Sequence, residues 1–94
     1  MMIPYGTAQL SGRHRYFADV YSCAKDLQEH ADDDVRCVAG HLRAIALNQP
    51  AKPATNLKGN AKELRRLAAL VASPDGLVVI ADQLERLADS FSGA

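Results

Sequence analysis

The sequence predicts an all-α fold in which two antiparallel helical hairpins form a small four-helix bundle. Three observations carry that expectation. Apolar residues recur at the three-then-four step of a helix face in four separate stretches. Short turn-forming runs, Asp32-Asp33-Asp34 and Ser73-Pro74-Asp75-Gly76, divide the stretches into pairs. A connector carrying Pro50 and Pro53 separates one pair from the other. Helices joined by so few residues fold back on each other.

In order, residues 1–12 read as a tail, because Pro4, Gly6 and Gly12 lie among small and polar residues. Ile3 and Tyr5 are the residues able to pin it to the body. The first hairpin is expected over 13–48. Its first helix, from about 13 to 31 with Ser11 as cap, places Tyr16, Val20, Ala24, Leu27 and Ala31 on one face, flanked by Phe17, Tyr21 and Cys23. Asp19, Ser22, Lys25, Asp26 and Glu29 fall opposite. The three aspartates that follow suit a helix cap and the positive end of a helix dipole. They lack the alternating ligands and the glycine of a calcium loop.

The second helix, about 35–47, buries Val35, Val38, Leu42, Ile45 and Ala46. Its remaining circumference offers Cys37, Gly40, Ala44 and Leu47, with Arg36 and Arg43 as its only formal charges. So little polar surface predicts a neighbour on that side, and Gly40 and Ala44, one turn apart, would admit another backbone. A homodimer contact through Cys37, Gly40, Ala44 and Leu47 is the expectation.

Residues 49–56 form the connector and 57–92 the second hairpin. Asn60 and Glu63 have the spacing of a capping box, with Asn56 able to start the third helix a turn earlier. Leu64, Leu67 and Val71 share its inner face. Ser73 is the expected cap of the fourth helix, with Pro74 in its first turn, where a missing amide hydrogen costs least. Leu77, Ile80, Leu84, Leu87 and Phe91 form the inner face, and Gly93 terminates it.

Composition bounds the function. A chain of 94 residues, 48% of them apolar, builds one domain with a small core. Eleven Lys and Arg balance eleven Asp and Glu, so no global field gathers nucleic acid or an anionic membrane. No stretch reads as a signal peptide or a bilayer span, which gives a cytoplasmic expectation and no membrane partner. Cys23 and Cys37 are too few for a disulfide framework. Abundant Ala, with Arg exceeding Lys, matches the composition of a GC-rich bacterial or phage genome.

Candidate chemistry is sparse. Cys37 and His41 stand one helical turn apart, but a tetrahedral zinc site would need Cys23 or His30 from the first helix. Those two are separated by two turns, and His14 lies farther off still. His41-Leu42-Arg43 on a helix faintly resembles the dimerisation helices of histidine kinases, which implies phosphotransfer at His41. Leu42 stands where the acidic neighbour belongs, and neither Thr-Pro nor Asn-Pro follows Arg43. Residues 64–87 resemble a helix-turn-helix in outline, which implies nucleic-acid binding with the fourth helix in the major groove. That helix opens with Asp75, Leu77, Val78, Val79 and Asp82, which offer nothing to base edges or phosphates. The basic strip Lys58, Lys62, Arg65 and Arg66 lies on helix three instead.

What remains is an apolar surplus. Val78 and Val79 fall on the polar half of helix four and Leu70 lies off the stripe of helix three. The sequence therefore points to a non-enzymatic protein-binding module, a small regulator or inhibitor without metal or cofactor. Leu70, Val78 and Val79 are its apolar anchors, and Lys62, Arg65 and Arg66 steer an acidic partner protein. A nucleic-acid-binding regulator is the alternative, and a phosphotransfer or zinc-binding protein the second alternative.

Overall fold

The computed structural model describes the backbone of residues 3–72 and 74–92, and side chains from residue 15 onward except at 73 and 92–94. Four α-helices follow in order: α1 (Ile3–Gln28), α2 (Asp33–Asn48), α3 (Ala54–Ala68) and α4 (Leu77–Ser92). No strand occurs among the described residues. The pairs α1/α2 and α3/α4 pack as hairpins, and the hairpins meet through lighter α2/α3 and α1/α4 contacts. This is the expected two-hairpin bundle.

Helix α1 starts at Ile3, so the expected tail is helical from its third residue. Proline is tolerated in a first helical turn, where Pro4 sits, because its missing amide hydrogen would have no partner there. Gly6 and Gly12 weaken a helix by about 1 kcal/mol each without breaking it. With 26 residues against 16 in α2, α1 overshoots its partner by roughly 15 Å. Ser11 therefore lies inside α1 and does not cap its start, while the proposed pinning by Ile3 and Tyr5 concerns side chains outside the described set.

At its other end α1 stops at Gln28, and Ala31 is exposed in the turn instead of continuing the inner face. His30 N–H closes that turn onto the Leu27 carbonyl (3.0 Å). Asp32 is the N-cap of α2, its Oδ1 accepting from the amides of Asp34 (2.9 Å) and Val35 (3.2 Å). Arg36 binds back over the turn, donating to the carbonyls of His30 (2.7 Å) and Ala31 (2.9 Å) while pairing with Asp33. The turn is thus held by side chains it supplies itself.

The start of α3 is the largest correction to the connector. The helix begins at Ala54, a turn and a half before the expected Asn60 capping box. Gln49, in the left-handed region at φ 47°, caps α2, and Pro53 occupies the N-cap position of α3. Pro53 is buried, and its carbonyl accepts the amide of Leu57 at 2.9 Å. Asn60 is mid-helix, its amide bonded back to the Asn56 carbonyl at 2.8 Å, and Glu63 pairs with Arg66. A proline can precede a helix without cost, so the connector spans only the residues between Asn48 and Ala54.

The α3–α4 turn also departs from expectation. Leu77 N–H bonds to the Pro74 carbonyl (3.0 Å) and Ile80 N–H to Gly76 (2.9 Å), so Gly76 and not Ser73 immediately precedes the helix. Gly76 has φ +87°, which L-residues rarely adopt. Pro74 opens this turn instead of the helix itself. The expected cap Ser73 and terminator Gly93 lie outside the described residues.

The core follows the predicted stripes and extends the third by Leu57, which the stripe read from the sequence did not include. Val20, Leu27, Val35 and Leu42 from the first hairpin, and Leu57, Leu64, Leu67, Leu77 and Leu84 from the second, are 0–2% exposed. Ala61, Ala81 and Ala88 are fully enclosed where helices approach closely. Burying each leucine contributes about 1.5–3 kcal/mol. Tyr16 stacks edge-on against Phe17 (5.0 Å between centroids) and at a tilt on Phe91 (4.9 Å), tying the end of α4 to α1.

Two substitutions test this packing by chemical denaturation. Leu57→Ala should lose about 2–5 kcal/mol, because its side chain is fully enclosed in the core. Gly76→Ala should lose about 1–2 kcal/mol from its positive φ alone, since the space around a new Cβ is open.

Candidate functional site

The basic strip on α3 does not stand free. The Arg65 guanidinium reaches across to α4, donating to Glu85 (2.8 and 3.3 Å) and Asp82 (2.5 Å). Its hydrogen bonds to Glu85, then to Asp82, hold the guanidinium pKa above its ordinary value. Arg66 pairs with Glu63 through two hydrogen bonds, 3.0 and 2.5 Å, lowering the Glu63 pKa and raising its own. Lys58 meets Asp89 at 3.1 Å. Of the four strip residues only Lys62 has no ion pair among the described residues. Exposed pairs of this kind contribute about 0–1 kcal/mol each, so their main effect is to cancel the strip's charge.

The expected apolar anchors are at the surface. Leu70 is 68% exposed, Val78 44% and Val79 61%. Leu70 follows the last turn of α3, and the two valines occupy the first turn of α4, so all three surround one hairpin turn.

Helix directions place a second set of residues at the same end. Along α1 and α4, Cys23 faces Gln83 (Sγ to Oε1, 3.8 Å) and Tyr16 faces Phe91, so these helices run antiparallel. The pairs Arg65–Glu85 and Lys58–Asp89 give the same relation between α3 and α4. The α1–α2 turn and the α3–α4 turn therefore lie at one end of the bundle. Asp34 is near enough for its charge to act on Arg66. That end carries Glu29, Asp32, Asp33, Asp34 and Asp75, with Arg36 already bound to Asp33. These carboxylates share the turn end with the expected helix-three cation Arg66, which is paired with Glu63. The signal was present in the two acidic turns, but it becomes readable only once both turns are assigned to one end.

A cleft of about 430 Å³ runs between α1 and α4, lined by Asp19, Ser22, Cys23 and Asp26 on one wall and by Gln83, Arg86, Leu87 and Ser90 on the other. Extending the Cys23–Gln83 register by three residues sets Asp26 about level with Ile80, one residue from Val79. Cys23 is buried at the base of this cleft. Burial first, then the negative charges of Asp26 and Asp19, push its thiol from an ordinary 9.0 up to about 11. A thiol so protonated is a poor nucleophile.

The expected dimer residues lie on the outer face of α2. Cys37, Gly40, Ala44 and Leu47 are all exposed, Leu47 to 64%, and nothing approaches within 4 Å of where a Gly40 Cβ would stand. Leu47 also lines a shallow groove with Phe17, Ala18, Tyr21, Ala46 and Gln49. Cys23 and Cys37 are separated, one buried towards α4 and one exposed on α2, and no cluster of three metal-ligating side chains occurs among the described residues. His41 is exposed on α2. No described helix is long and apolar enough to cross a membrane.

No family model matches the chain, and neither a curated protein nor a solved structure matches it significantly.

The two thiols separate in a labelling experiment. At pH 8 a maleimide or disulfide reagent should modify Cys37 rapidly and Cys23 only on unfolding, giving one fast thiol per folded chain and two in denaturant. The raised Cys23 pKa also makes a linkage prediction. Its contribution is fully present below the unfolded value of 9.0 and is lost as pH rises towards about 11, on the order of 2 kcal/mol. Cys23→Ala should lack that alkaline loss when compared by denaturant titration at pH 8 and pH 11.

Proposed function

We propose that this chain is a small non-enzymatic protein-binding module, a regulator or inhibitor that acts by occupying a partner protein's surface. One observation carries the reading: Leu70, Val78 and Val79 remain at the surface around a single turn, while the other residues of the α3 and α4 stripes are buried or half-buried. A small bundle that leaves three branched aliphatic side chains on one turn has a surface suited to apolar docking. Support of a different kind comes from the paired state of Arg65 and Arg66, which removes the cations a nucleic-acid reader would use. The exposed α2 face is the corresponding candidate for a homodimer contact, and a cytoplasmic setting fits two unpaired thiols.

The test is a double substitution. Val78→Asp with Val79→Asp should leave helical circular dichroism and the unfolding midpoint nearly unchanged, because both side chains are exposed. It should also abolish crosslinking to the partner protein that the wild-type chain captures in its host. A cooperative loss of helicity would instead make these residues structural, and retained capture would place the binding surface elsewhere.

A further inference from the structure

Resting on the reading above, the geometry points to the chemistry of the partner: we infer that the turn end of the bundle receives a short amphipathic helix whose apolar stripe is flanked by Lys and Arg. The first ground is charge. Leu70, Val78 and Val79 share the turn end of the bundle with Glu29, Asp33, Asp34 and Asp75, and Asp26 lines the cleft between α1 and α4. Glu29, Asp34 and Asp75 have no ion pair among the described residues. The nearby cations Arg36 and Arg66 are bound to Asp33 and Glu63. An incoming cation meets unneutralised carboxylates there, and an incoming carboxylate meets repulsion.

The second ground is size. The bundle is 25 × 19 Å across its two shorter axes. An end of that cross-section is no larger than about the 800 Å² per partner of a stable contact between folded domains, and its apolar part is confined to Leu70, Val78 and Val79. It matches about four turns of helix, some 22 Å long, laid across it. A second copy of this chain presenting the same end would bring acid against acid. The occupant that fits both area and charge is therefore a basic segment and not another bundle.

Two synthetic peptides of fourteen residues provide the probe. They share one leucine stripe at helical spacing and differ only in carrying Lys or Glu at every other position. Titrated into the ¹⁵N-labelled full chain, the Lys peptide should shift amides of residues 26–36 and 66–79 and weaken as salt is added. The Glu peptide should shift none. Asp34→Asn with Asp75→Asn, which keeps the Asp32 capping side chain and the core, should reduce Lys-peptide affinity by about five-fold and flatten its salt dependence. Val78→Ser with Val79→Ser should reduce affinity without altering that salt dependence.

Equal or tighter binding of the Glu peptide overturns the inference, as does silence from both peptides or a Lys-peptide footprint elsewhere on the chain. Self-association detected by light scattering and competing with the peptide at the same amides assigns the end to a second copy and also overturns it. In each of these cases the interaction-surface reading still stands or falls separately, on capture of the host partner by wild type and by the Val78→Asp, Val79→Asp chain.

Discussion

The pairing of α3 with α4 is the constraint on which the rest of the molecule depends. Leu57, Ala61, Leu64 and Leu67 on one helix meet Leu77, Ala81, Leu84 and Ala88 on the other, all essentially buried. With those stripes turned inward, geometry decides what faces out. Helical rotation carries Val78 and Val79 away from the seam, and it brings Arg65 within reach of Asp82 and Glu85. Apolar exposure at the turn and neutralisation of the basic strip are two results of one packing arrangement.

A net charge of zero conceals how the charges are distributed. From 37 to 62 the chain contains Arg43, Lys52, Lys58 and Lys62 and not one acid. From 26 to 36 it contains five acids against Arg36. Antiparallel packing sends the two short turns to one end and the α2–α3 connector to the other, so the acids gather at the end that carries Leu70, Val78 and Val79 while Arg43 and Lys52 lie at the far end. A protein without a global field thereby presents a local one, and local fields bias encounter with a partner within a Debye length, roughly 8–10 Å at ordinary salt.

Legibility of the sequence varied with the kind of information required. Periodicity along one helix was sufficient for the leucine stripes and for the surplus residues Leu70, Val78 and Val79, because both depend only on rotation about the helix axis. Boundaries were harder. Pro4 and Pro53 read as breakers, yet each lies in a first turn or cap, where proline costs a helix nothing. Asn60 and Glu63 had cap spacing but lie mid-helix, since the same two residues also make acceptable interior partners for Asn56 and Arg66. The balance of charge at the turn end was not legible from any one helix. It depends on which residues of separate helices meet: Arg65 with α4, Arg66 with Glu63, and the acidic α1–α2 turn beside the α3–α4 turn. No single-helix pattern contains that information.

The most direct test of the central claim is solvent paramagnetic relaxation of methyl groups in the free chain, using a neutral gadolinium chelate. The account predicts strong relaxation of the Leu70, Val78 and Val79 methyls, with those of Leu57, Leu64, Leu67 and Leu84 protected. Equal protection of all seven would mean that the apolar surplus is enclosed within the bundle, and it would contradict the existence of an exposed surface at the turn end.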